Sequence, residues 1–167
     1  KGVDMNIIFL DVDGVLNCQL FYTEQQKQEG DTFVKQNFCT MRVGWLNALC
    51  KEMDIKVVIS STWRMGKTIE ELKEIFEEVG ATFEIIGMTP ILREKYFVRG
   101  NEIQAWIEEN NELLECQYYD FHTYAIIDDD SDMLYWQRDN LFLTDSYAGL
   151  TPDTCYRIKR FFQKFNQ

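Results

Sequence analysis

Two aspartates separated by one residue, Asp11 and Asp13, follow the apolar run of residues 5–10, and Gly14 comes next. Carboxylates spaced this way leave a strand together, and the glycine lets the backbone turn. Such a pair suits nucleophilic and acid–base chemistry. The plain alternative is a strand-ending turn, since Asp and Gly are turn residues. A calcium loop fits poorly, because its glycine would fall on Leu16 and the segment follows a strand.

A second acidic group, Asp128-Asp129-Asp130-Ser131-Asp132, follows the apolar stretch 124–127. Four carboxylates in five residues repel one another, which raises their pKa values unless a cation is present. A hard cation with oxygen ligands, Mg²⁺ above all, resolves that conflict. The alternative is a solvated acidic loop, with Asp132 serving only as a helix cap.

Two further groups can hold an anion. Ser60-Ser61-Thr62-Trp63-Arg64, after the apolar residues 55–59, offers hydroxyls, N–H groups and a guanidinium. Arg99, just before a predicted helix over 101–109, would sit beside a helix N-terminus. Arg93 and Lys95 are its rivals, and a plain surface Arg is the alternative. Gly66-Lys67-Thr68 resembles the tail of a phosphate-binding loop, but the pattern needs glycine where Ser61 stands. The lone histidine, His122, reads as a structural or surface residue.

The elements needed to position these groups alternate along the chain. Strands are predicted at 5–10, 55–59, 82–86, 124–127 and, as an edge, 141–143. Helices are predicted at 41–53, from a Thr68–Glu71 capping box through Val79, at 101–109 and from Thr151-Pro152 onward. Residues 17–40 lack periodicity and read as a flap, which in a compact domain is usually functional. Strand–helix alternation predicts a parallel sheet flanked by helices, with ligands outside the carboxyl ends of the strands.

The bulk properties narrow the function. A chain of 167 residues suits one domain. Its net charge of −11 disfavours non-specific gripping of a nucleic-acid backbone but permits a local basic pocket. Five cysteines without a Cys-x-x-Cys pair suggest neither zinc nor a disulfide framework, so reduced thiols in the cytoplasm are expected. The apolar runs are too short to span a bilayer, and no signal peptide is read.

Taken in order, the four groups resemble the motifs of the haloacid dehalogenase (HAD) superfamily, over nearly the whole chain. Within it, Ser60-Ser61-Thr62-Trp63-Arg64, Arg99-Gly100-Asn101-Glu102-Ile103 with Trp106, and Gly149-Leu150-Thr151 resemble the phosphatase domains of multi-enzyme RNA-repair proteins. Ile127-Asp128-Asp129 also resembles the phosphatase half of polynucleotide kinase-phosphatases. The resemblance implies a single Rossmann-like α/β domain with a minimal cap at about 17–40. It implies Asp11 as nucleophile and Asp13 as acid and base. It implies Mg²⁺ held by Asp11, the Asp13 carbonyl and an aspartate of the 128–129 pair, with Asp129 favoured as the direct ligand and Asp128 as its support. Ser60, or its rival Ser61, would hold the phosphate with Arg99, and Arg64 would add a second contact.

The expected activity is therefore a Mg²⁺-dependent phosphomonoesterase, acting on a terminal phosphate of RNA or DNA, or on a nucleotide. A small-metabolite or sugar phosphatase using the flap as a lid is the second expectation. A non-catalytic binding domain is the third.

Overall fold

The computed structural model describes residues 5–29, 38–114 and 123–165. His122, and residues 30–37 of the expected flap, lie outside these. The five strands are β1 (Asn6–Leu10), β2 (Ile55–Ile59), β3 (Ile85–Met88), β4 (Tyr124–Asp128) and β5 (Leu141–Leu143). They form one sheet in the order β3-β2-β1-β4-β5, parallel throughout. The helices are α1 (Gln19–Glu29), α2 (Thr40–Met53), α3 (Ile69–Glu78), α4 (Arg99–Glu109) and α5 (Pro152–Gln163). The expected α/β architecture is thus observed.

Strand β1 lies at the centre and is buried over its whole length, which is why it reads as an unbroken apolar run. Its side chains alternate between two cores. Ile8 and Leu10 join Val57, Ile59, Leu46, Leu72, Ile158 and Phe162 in the core that packs α2, α3 and α5. Ile7 and Phe9 join Val58, Ile103, Trp106 and Ile126 in the core beneath α4. Phe9 sets its edge against the Trp106 ring, with centroids 5.5 Å apart. Helices therefore cover both faces, as a parallel sheet requires.

Local chemistry fixes the helix ends. The Thr68 hydroxyl accepts the Glu71 N–H at 3.2 Å, and the Glu71 carboxylate accepts the Thr68 N–H at 2.7 Å. Gly80, at φ +87°, follows the end of α3 in the left-handed region that favours glycine. Thr151 caps α5 through the Thr154 N–H, ahead of Pro152.

Three predictions of local structure need correction. Part of the expected flap is the helix α1. Its apolar residues Leu20, Phe21 and Tyr22 are contiguous, so no stripe at helical spacing announces it. The third strand starts at Ile85, not Thr82, because the Thr82 N–H is tied to the Asn47 side chain of α2 at 2.8 Å. Tyr135–Asn140 forms a 3₁₀ turn that was not anticipated. Among the described residues no helix is long and apolar enough to cross a membrane.

Candidate active site

Strand register gathers the motifs. Leu10 pairs with both Ile59 and Ile127, so Asp11 emerges beside Ser60 on one flank and Asp128 on the other. The Asp11 N–H still continues the ladder to the Ile127 carbonyl at 2.9 Å. The chain then turns on the Val12 carbonyl, which accepts the N–H groups of Val15, Leu16 and Asn17.

Gly14 sits at φ +75°, in the left-handed region. A Cβ there would fall 2.2 Å from Asp129 Oδ2. Glycine is therefore required twice, for the turn and for the approach of Asp129. The hydroxyl of Thr144 donates to the Gly14 carbonyl at 2.9 Å, and its N–H donates to the Asp128 carbonyl. Leu150 donates to the Val15 carbonyl at 2.8 Å, so the Gly149-Leu150-Thr151 segment also braces this turn.

Carboxylate oxygens of Asp11, Asp128 and Asp129 all lie within 4.8 Å of one another. Asp11 and Asp128 are buried, 6% and 2% exposed, whereas Asp129 is half-buried. Asp128 Oδ1 accepts the Asp130 N–H, but Oδ2 accepts no hydrogen bond. Its neighbour there is Arg99 Nε at 3.8 Å. Burial pushes Asp11 up to about 6 and Asp128 up to about 7, and the Arg99 charge pulls both back. Asp129 is raised as well, first by burial and then by the charges of Asp130 and Asp13. A trio of crowded, desolvated carboxylates with an unpartnered oxygen is a fitting donor set for a hard divalent cation.

Asp13 points elsewhere. Its Oδ1 accepts from Asn17 Nδ2 at 2.9 Å and its Oδ2 from the Trp63 indole N–H at 3.1 Å. The carboxylate is thereby fixed at the rim of a polar cleft of about 340 Å³, lined also by Gln19, Tyr22, Asp129 and Ser146. Burial first, and the Asp13 charge second, push the Tyr22 hydroxyl up to about 12. Asn17, Trp63 and Tyr22 were not singled out from the sequence as groups that hold or face Asp13. Only the residue types gave a signal, since amide and indole N–H groups suit a carboxylate.

The serines divide. Ser61 lies near enough to Asp11 to draw its pKa down, and its Oγ accepts the Trp63 N–H at 3.3 Å, whereas the buried Ser60 hydroxyl finds no partner among the described residues. Arg99 opens α4 and directs its guanidinium at the acid cluster. The anion site expected at the helix N-terminus itself is filled, because Asp132 caps α4 from across the chain. Its Oδ2 accepts the Arg99 N–H at 3.0 Å and its carbonyl accepts the Gly100 N–H. Arg93 and Lys95 are exposed on the loop before α4.

Arg64, expected as a second phosphate contact, is held by partners within the protein. It is 4% exposed and donates to the carbonyls of Ser61, Thr89 and Pro90 and to Glu102 Oε2. It ties the ends of β2 and β3 to α4. Glu102, which the sequence did not flag by role, also accepts the Leu92 N–H and lies 3.9 Å from Arg99 Nη1. The rejected phosphate-loop tail is explained by Thr68, whose hydroxyl is engaged in capping α3.

The family model described as "HAD domain in Swiss Army Knife RNA repair proteins" matches residues 7–155. Comparison with curated proteins finds no match, and comparison with solved structures finds none. The family match supports a phosphatase-type hydrolase as the general class. It covers the sheet from Ile7 onward and all four motifs, so the chain belongs to the HAD domains of Swiss Army Knife RNA repair proteins.

Proposed function

We propose that the protein is a Mg²⁺-dependent phosphomonoesterase acting through an aspartyl phosphate on Asp11, with a terminal phosphate of a nucleic acid (a 3′-phosphate) or of a nucleotide as substrate. The observation that carries the chemistry is the Asp11–Asp128–Asp129 trio beside Arg99, with Asp13 held separately by two N–H donors. The description of the family supports the choice of substrate.

Mg²⁺ held by Asp11, by the Asp128–Asp129 pair and by the Asp13 carbonyl would supply the positive charge that lets an anionic nucleophile meet an anionic substrate. An Asp11 carboxylate oxygen forms a bond to phosphorus while the bond from phosphorus to the ester oxygen breaks. Asp13 delivers its proton to that departing oxygen. As a carboxylate it then takes a proton from water, whose oxygen attacks phosphorus and releases Asp11 and inorganic phosphate. Arg99 offsets the charge on the phosphoryl oxygens, and Ser61, already within reach of Asp11, donates to them, with Ser60 as its neighbour. Arg64 acts one layer behind, as the brace that fixes the Ser61 backbone and Glu102.

A sugar or small-metabolite phosphate is the second reading. The cleft at Asp13 favours it, because Asn17, Gln19, Tyr22 and Ser146 suit a neutral hydroxylated leaving group. A substrate panel with Mg²⁺, EDTA and Asp11→Asn controls tests both. Phosphate release from 3′-phosphorylated oligonucleotides, abolished by EDTA and by Asp11→Asn, is the expected result. Release from sugar phosphates alone sinks the choice of substrate. Activity surviving Asp11→Asn sinks the mechanism.

A further inference from the structure

A groove beside Arg99 takes no part in the chemistry above. It lies between the loop after β2 and the loop joining β3 to α4, and encloses about 200 Å³. Thr62, Met65, Ile91, Phe97 and Val98 wall it, and Arg99 forms the end that faces the acid cluster. The groove is therefore continuous with the candidate active site.

Its walls are unusual for a chain this acidic. Met65 is 52% exposed and Phe97 is 47% exposed, and next to Phe97 the Tyr96 ring stands 84% exposed. Lys95 Nζ lies 5.4 Å from the centre of that ring. Single exposed apolar residues need no explanation, but a cluster at the mouth of a polar site marks a binding surface. The two acids of the groove are already engaged, Glu102 with Arg64 and the Leu92 N–H, and Asp132 with the start of α4. Residues 93–99 carry Arg93, Lys95 and Arg99 against Glu94 alone, a local charge of +2 in a chain of −11. Basic groups interleaved with aromatic rings are the composition that holds single-stranded nucleic acid, since phosphates meet the cations and any base stacks on a ring.

We propose that this groove and its aromatic lip bind the single strand adjoining the phosphorylated end, with a base against Phe97 and Met65 and backbone phosphates at Arg93 and Lys95. The proposal rests on the nucleic-acid reading of the substrate given above. It places the strand on the Arg99 side and leaves the cleft at Asp13 to the sugar that departs.

The test uses the Asp11→Asn protein, which keeps the groove and does not turn over. It is titrated with a fluorescent 3′-phosphorylated single-stranded oligonucleotide, alone and combined with Phe97→Ala, Tyr96→Ala, or Arg93→Ala with Lys95→Ala. Tyr156→Ala, an exposed aromatic on α5, is the control. Loss of Phe97 is expected to weaken binding about tenfold, and loss of the two cations to flatten its salt dependence. The control should match its parent. With Asp11 restored, the same groove substitutions should lower the ratio of kcat/KM for the oligonucleotide to that for p-nitrophenyl phosphate. Affinity that ignores Phe97 and Tyr96 overturns the proposal, as does equally tight binding of a polyaspartate peptide. Turnover confined to sugar phosphates refutes the reading of the substrate, while the titration still decides the groove.

Discussion

Replacing Asp11, the proposed nucleophile, should stabilise the metal-free protein. Asp11 is 6% exposed, and burial lifts it from the ordinary 3.8 to about 6. As pH rises from about 4 to about 6, the unfolded chain surrenders this proton before the folded one does. Stability therefore falls across that window and stays lower above it. At about 1.36 kcal/mol for each pH unit, the gap between 3.8 and about 6 corresponds to about 3 kcal/mol at pH 8. Asn keeps an acceptor for the Ser61 hydroxyl and removes the charge. It also removes the repulsion that helps to raise Asp128 to about 7. Asp11→Asn should thus raise Tm in EDTA at pH 8 by roughly 6–12 °C, at about 2–4 °C per kcal/mol for a chain of this size. The difference should vanish at about pH 3 and below, under both values, where Asp is protonated in the folded and the unfolded state. Added Mg²⁺ should narrow or reverse it, because the wild type gains a ligand that the variant lacks. Thermal melts at about pH 3 and at pH 8, with EDTA and with Mg²⁺, measure all of this. A variant that melts lower than wild type at pH 8 in EDTA refutes the claim that desolvated charge burdens this site.

Three other substitutions probe the same geometry. Gly14→Ala forces a Cβ to within 2.2 Å of Asp129 Oδ2 at φ +75°, and should cost about 1–2 kcal/mol in denaturant melts while weakening Mg²⁺ binding by calorimetry. Intact Mg²⁺ affinity would show that Asp129 is not needed at the cation. Trp63→Phe keeps a ring against Phe38, 4.9 Å away between centroids, but removes the N–H that holds Asp13. It should lower kcat about tenfold with little change in Tm, the reverse of what a packing role predicts. Glu102→Gln leaves Arg64 with carbonyl partners but no counter-charge, and should cost about 2 kcal/mol by chemical denaturation. A neutral result would mean that the carbonyls alone satisfy Arg64.

The legible part of this protein is the part that local chemistry dictates. Asp11-Val12-Asp13-Gly14 announces itself because an acid pair and a glycine follow a buried strand, and the family match spans it. The Thr68–Glu71 box and Thr151-Pro152 announce helix starts because their side chains bond the backbone they cap. The hidden part depends on partners far along the chain. The role of Arg64 is set by the carbonyls of Thr89 and Pro90, which reach it only because β3 pairs beside β2. Asp132 reads as a cap for a helix after it in the chain, yet it caps α4, which precedes it, because β4 returns the chain beside β1. Helix α1 escaped because its apolar residues make no stripe, so spacing had nothing to report.

Sheet order also explains why motifs so far apart in sequence form one site. Asp11 and Ser60 sit on short loops after their strands, Asp128 ends β4 and Arg99 opens α4. With β2 and β4 flanking β1 in parallel, the residue after each strand meets its neighbours at one edge. The burial that raises Asp11 and Asp128, and the repulsion from Asp11 that adds to Asp128, are then consequences of topology, since Asp128 ends β4 and Asp11 follows β1. A cation and Arg99 are the two means of relieving it, and a phosphoryl group is drawn to both. The destabilisation that Asp11→Asn should remove comes from the same charge that is proposed to attack phosphorus.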